Sequence, residues 1–221
     1  MSLSKQPASA RIFACLAALS ITVCLAGCTN DDDVQLDDTT DASEVDPTEY
    51  IPASAEGPAQ NVPEPNLPAV ATENTEEGAK ATLEYFWEAV DFARLTGDTS
   101  HLALVSDDSC EFCAGLMSGW SEVYEKGGWA HIETEMTLDD VVNEAPEGET
   151  EYSDDAGKMS FSFQLTEPAA AFYEEGKLLE DQSFETESTA DWWVDLAYDA
   201  TSQRWNISWM GLEEQVSEDP S

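Results

Sequence analysis

Cys110-Glu111-Phe112-Cys113 is the spacing in this chain most open to chemistry. Two thiols three residues apart at a helix start can form a redox pair, because the free N–H groups and dipole of a helix N-terminus lower a thiol pKa. Asp107, Asp108 and Glu111 flank the pair and push the other way. No strand runs directly into the motif, as a thioredoxin-type turn requires. The pair therefore reads as a structural disulfide, with a thiol-redox pair as one alternative. A metal site is the other, with only His101 or His131 to add to two sulfurs. His131 stands near Glu133, Glu135 and Asp139, which invites an acid–base reading. It falls on the polar side of its own alternation, opposite Ile132 and Met136, and reads as a solvated histidine. No Ser/His/Asp spacing, phosphate-binding glycine loop or zinc signature follows elsewhere. No catalytic residue, metal or cofactor is expected.

Trp192, Trp205 and Trp209 form a second constellation. They fall on the inward positions of two alternating runs and could fill a core or line an apolar pocket. Trp193 points the opposite way and would mark a contact surface if exposed.

The elements that must position these residues begin after an export signal. Leu25-Ala26-Gly27-Cys28 closes an uncharged apolar run over residues 12–26, and Lys5 and Arg11 precede it. Leu-Ala-Gly-Cys is the pattern of a bacterial lipoprotein signal, in which the cysteine receives a diacylglyceryl group before the leader is cut off. The run of 15 residues is short of the ~20 needed to span a bilayer. Residues 1–27 thus read as the signal, and the protein as lipid-anchored through Cys28 on the extracytoplasmic face of the cell membrane. Cys15 and Cys24 leave with the signal, so Cys110 and Cys113 are the one pair remaining, as expected where disulfides persist.

The leader holds two of the eight basic residues and none of the 47 acidic ones, leaving a formal charge of −41. Such a surface repels nucleic acid phosphates and offers no polybasic membrane contact, so the membrane partner is reached through the lipid alone. Residues 28–74 carry acidic clusters and Pro47, Pro52, Pro58, Pro63, Pro65 and Pro68, with no periodic apolar stripe. They read as a disordered tether. All seven tryptophans lie beyond it, in a single domain over residues 75–213, with residues 214–221 as a disordered tail.

Within that domain Thr75-Glu76-Glu77 suits a helix start, and Ala79, Leu83, Phe86, Val90 and Ala93 recur at helical spacing up to Gly97. A short turn follows through His101 and Leu104. A second long helix carries Phe112, Leu116, Trp120 and Val123, ending at Gly127-Gly128. The period then changes to two. Ile132, Thr134, Met136 and Leu138 form one alternation; Met159, Phe161, Phe163 and Leu165 another. Trp192, Val194, Leu196 and Tyr198 turn at 199–202 into Trp205, Ile207 and Trp209. Residues 167–185 are ambiguous, with a helical turn over 169–173 as one option. Helices first and strands after predict an α+β domain, its helices packed on a curved antiparallel sheet of four or more strands.

That order resembles the cone of the nuclear-transport-factor-2-like superfamily. A closer resemblance covers residues 63–213. Pro68, Gly78-Ala79, Tyr85-Phe86-Trp87, Thr96-Gly97-Asp98-Thr99, Cys110-x-x-Cys113, Tyr124 and Gly127-Gly128 resemble a family of uncharacterised actinobacterial cell-surface lipoproteins. The resemblance implies one such surface domain and carries no activity. The expected function is a binding or interaction domain of the cell envelope, its partner an envelope protein or a small apolar ligand. A cone-fold enzyme acting on a small apolar molecule and a thiol-redox lipoprotein are the alternatives. The anchor has a direct test: Cys28→Ala should release the protein from the membrane fraction with its domain still folded. A variant that still pellets with membranes would refute the lipid anchor.

Overall fold

Thr75 accepts the Gly78 N–H at 3.1 Å and caps helix α1, Glu76–Thr96, in a computed structural model that describes residues 49–144 and 157–212. The signal, Cys28 and the 214–221 tail lie outside the described residues. Gly97 ends α1 at φ +75°, a left-handed backbone that glycine adopts without strain. Asp98 then accepts the Ser100 N–H and starts α2, Ser100–Leu104. The Thr-Gly-Asp-Thr motif is this turn. Cys110 caps α3, Glu111–Glu125, and is bridged to Cys113.

The strands among the described residues form two antiparallel sheets. One has the order β1 (Gly128–Ile132), β4 (Ala170–Glu174), β5 (Lys177–Leu178). The other runs β2 (Thr137–Asn143), β3 (Lys158–Glu167), β6 (Ser188–Asp199), β7 (Arg204–Leu212). The fold is α+β, with three helices packed against antiparallel sheets. Phe161, Phe163 and Leu165 of β3 and Val194 and Leu196 of β6 face the core, as their alternation requires. Against them α1 packs Leu83, Phe86 and Val90.

Three expectations are corrected. The alternation through Ile132, Thr134, Met136 and Leu138 is two strands rather than one. The chain leaves β1 at Ile132, turns a corner and enters β2 in the other sheet at Thr137. The segment paired with it makes the same corner: β3 pairs Thr166 with Thr137, β4 pairs Ala170 with Ile132, and Pro168 lies between. A proline has no N–H for the ladder, so pairing breaks there. Residues 170–174 accordingly form a strand and no helical turn.

The second correction concerns Trp209. Asp195 pairs with Trp209 and Leu196 with Ile207, so Ser208 is the extra residue of a bulge. A bulge reverses which side chains face inward. Met210 takes the buried position and Trp209 is 38% exposed.

The third concerns the tether. Residues 49–74, proline-rich though they are, pack on the domain. Ala53 and Ala71 are buried. Trp129 donates its indole N–H to the Ser54 carbonyl at 2.8 Å, and Trp205 donates to Glu73 at 2.8 Å. Tyr198 donates its hydroxyl to the Thr72 carbonyl. The chain crosses α1 so closely that a Cβ on Gly78 would lie 2.1 Å from the Glu73 carbonyl oxygen. Starting the chain at residue 75 instead of 48 would strand two buried indole N–H groups, at about 1–3 kcal/mol each. Denaturant unfolding of the two chains should show that loss. Equal stability would mean that residues 49–74 contribute nothing to the fold.

Candidate functional site

The corner between β1 and β2 forms one wall of a cleft of about 870 Å³. Residues 133–136 have no ladder partner in either sheet. The Met136 N–H is taken instead by Oδ2 of Asp91, on α1, at 2.9 Å. The opposite wall is α1 itself, through Glu84, Trp87, Glu88, Asp91 and Leu95, a stripe at helical spacing. Residues 62–66, with Tyr50, close a third side.

Charge distinguishes this cleft. Glu64, Glu84, Glu88, Glu133 and Glu135 stand exposed around it, Asp91 lies buried beneath them, and no Lys, Arg or His is in its lining. Burial raises the Glu88 pKa, and the carboxylates of Glu135 and Glu84 raise it further. Mutual repulsion of this kind favours a cation. Among the described residues no three ligating groups converge closely enough to hold a metal ion. The charge is distributed along a groove and suits an extended organic cation.

Beneath the rim, Arg94 Nη1 lies 3.6 Å from Asp91 Oδ1, close enough for charge attraction but beyond a hydrogen bond. Asp91 Oδ1, Arg94 Nε and Nη1 and the Trp87 indole N–H are buried without hydrogen-bond partners among the described residues. Burial pushes the Asp91 carboxyl up to about 6, against the pull of the Met136 N–H and Arg94, and Glu135 and Glu167 add to the rise. Burial likewise lowers the Arg94 pKa.

The residues singled out in the sequence lie elsewhere. Cys110 and Cys113 form a disulfide and are each 1% exposed, which keeps an attacking thiolate away from either sulfur. His131 is half-buried on β1 and borders no part of the cleft, although its neighbours Ile132 and Glu133 do. His101 accepts or donates a 2.8 Å hydrogen bond with the Tyr85 hydroxyl. Trp205 is wholly buried, and Trp193 is half-buried. Trp192 and Trp209 border a separate recess of about 600 Å³ with Phe112 and Glu111. A third, shallow groove along α3 is lined by Leu116, Trp120, Val123 and Phe172 and has no charged group. Neither Asp91, in the lining, nor Arg94, buried beside it, is among the residues singled out from the sequence. Their signal was legible: two charges inside the helical stretch that otherwise reads Ala89-Val90 and Phe92-Ala93.

The profile described as "Family of unknown function (DUF6318)" matches residues 48–211. The chain belongs to this family. The DUF6318 match takes in every wall of the cleft, residues 62–66 included. No curated protein matches the chain. Among solved structures, it is similar to the intermembrane space region of the chloroplast protein ARC6. The identity there is 13%, over 62% of this chain and 95% of that one, with a TM-score of 0.45. Kfla4162 from Kribbella flavida is 13% identical over 62% of this chain and 91% of its own, at a TM-score of 0.38. A periplasmic fragment of TraM is 13% identical over 59% and 94%, at 0.32. Among the described residues no helix is long and apolar enough to cross a membrane.

The raised Asp91 pKa has a sign that can be measured. The folded chain holds this proton more tightly than the unfolded one, whose value is near 3.8. The stabilisation it brings is therefore complete below pH 3.8 and lost as the pH rises through about 6. Asp91→Asn removes that titration and leaves a constant offset. The stability of the wild type minus that of the variant should fall between pH 4 and 7, by on the order of 3 kcal/mol. A difference independent of pH would show that Asp91 titrates normally.

Proposed function

We propose that this chain is a lipid-anchored binding domain of a bacterial cell envelope. In this reading Cys28 carries the lipid, and the acidic cleft holds a cationic segment of another envelope protein without chemistry on it. The anchor rests on Leu25-Ala26-Gly27-Cys28, and kinship with actinobacterial surface lipoproteins on the Thr-Gly-Asp-Thr and Cys-x-x-Cys spacings. The observation that carries the binding reading is the cleft lining, with six carboxylates and no basic side chain along a groove of about 870 Å³. Such a groove concentrates cations at its mouth and speeds their capture.

An enzyme reading draws on Asp91, whose pKa of about 6 is near that of a working acid or base. Proton transfer needs a carboxyl oxygen facing the substrate. Here Oδ2 is engaged by the Met136 N–H and Oδ1 is buried beside Arg94. Binding is the reading that these contacts favour.

Calorimetric titration of the mature chain with a tri-lysine peptide amide tests it. Saturable binding should weaken with salt and drop about tenfold in the Glu84→Gln/Glu88→Gln variant, as two cleft charges together contribute roughly 1.4 kcal/mol. That variant changes two of very many acidic groups, so a drop localises the site. Equal affinity in variant and wild type would reject the cleft.

A further inference from the structure

We infer that the recess between α3 and β7 is a second, independent site that takes a quaternary ammonium group of the choline type. No residue of the acidic cleft lines it. The inference begins with Trp209. The bulge at Ser208 turns this indole away from the core, while Trp205 and Ile207 just before it are fully buried. Leaving so large an apolar side chain 38% exposed forgoes burial that Met210 takes instead. Bulges recur beside binding sites because they re-aim a side chain. Here the re-aimed side chain borders a recess of about 600 Å³, a size suited to a small molecule.

The other wall is aromatic and firmly backed. Phe112 and Trp192 lie with ring centroids 5.1 Å apart at 58°, and Trp192 rests on Trp87 at 5.9 Å and 70°. Two indoles and a phenyl ring therefore border one recess. Aromatic faces carry negative electrostatic potential, and tryptophan attracts cations best. Met210 and Leu212 add apolar surface, and Glu111 is the one charged side chain in the lining. The N-terminus of α3 opens on the same recess, and its partial positive charge would favour an anion. Glu111 stands in that first turn and offsets it, while Cys110 Sγ accepts the Cys113 N–H at 3.2 Å. The lining contains no basic side chain.

A primary ammonium needs acceptors for three N–H groups, and Glu111 is the one carboxylate in the lining. A quaternary ammonium donates no hydrogen bond. It needs aromatic side chains, apolar contact for its methyl groups and one carboxylate, and the lining contains those three.

The test titrates the mature chain with choline chloride and, in parallel, with 3,3-dimethylbutan-1-ol, which has the same shape without the charge. Calorimetry and tryptophan fluorescence are read at constant ionic strength. Choline should saturate, and the neutral isostere should bind about tenfold more weakly or not at all. Trp209→Ala should remove choline binding. Trp209→Phe, which keeps a ring of weaker potential, should weaken it severalfold, and so should Glu111→Gln. Glu84→Gln/Glu88→Gln should leave it unchanged, which separates this site from the cleft. Equal binding of the isostere would make the recess merely apolar and overturn the inference. Absence of saturable choline binding, or undiminished binding in either Trp209 variant, would also overturn it.

Discussion

The carboxylate of Asp91 on the Met136 N–H holds together the part of this fold that is least secured by regular structure. Both β1–β2 and β3–β4 change sheets at one corner, and neither ladder supplies bonds there. A buried backbone donor without a partner costs about 1–3 kcal/mol. The helix supplies the acceptor, 45 residues away in sequence. That choice has electrostatic consequences. A carboxylate placed where water is scarce is disfavoured in its charged form, and Arg94, held at 3.6 Å, offsets only part of the cost. The corner's geometry and the raised pKa beneath the cleft are thus one fact seen twice.

The aromatic cluster centred on Trp87 has a comparable role for the two cavities. Trp87 lines the acidic cleft and packs edge-on against Phe86, Phe163 and Trp192, with Phe112 tilted against it at 6.3 Å. Phe112 and Trp192 in turn line the recess. One rigid group of rings therefore backs both concavities while keeping them separate. Close-packed rings of this kind do not deform gradually. The cavity walls on this side are set before any ligand arrives, and the adaptable sides are the long glutamates of the rim and the Trp209 indole.

Local signals in the sequence carried far. Thr75, Gly97 and Gly127 mark helix ends because capping is settled by a few neighbouring residues, and the Phe161-Ser162-Phe163 alternation survives because β3 is straight over that span. The errors share a cause in distant partners. An alternation with period two looks the same whether or not the strand bends at Glu133, and the bend is decided by Pro168 on the neighbouring chain segment. The Ser208 bulge likewise depends on pairing with β6. Residues 49–74 have the composition of a tether, yet their carbonyls are the acceptors for indoles 75 and 132 residues downstream. The paired charges in α1 are legible directly, since charges inside an otherwise apolar helical stretch need partners from elsewhere in the fold, as Asp91 finds in the Met136 N–H.

Scarcity of basic residues sharpens that last point. Beyond residue 27 the chain has six, and their placement decides where negative charge is left uncompensated. Arg94 is buried beside Asp91, and Arg204 is half-buried at the start of β7. Lys80 is paired with Glu76 one turn away at 2.7 Å, and Lys126 with Glu122 in the same manner on α3. Exposed pairs of this type contribute little to stability, but they occupy the cation. Neither cavity has a basic side chain in its lining. The glutamates of the cleft and Glu111 of the recess therefore have no basic side chain beside them in either lining, and the two linings differ in composition. The cleft presents carboxylates spaced along a helix and a corner, which suits charge distributed along a chain. The recess has three aromatic side chains and a single carboxylate in its lining, the composition on which the bulky-cation proposal rests.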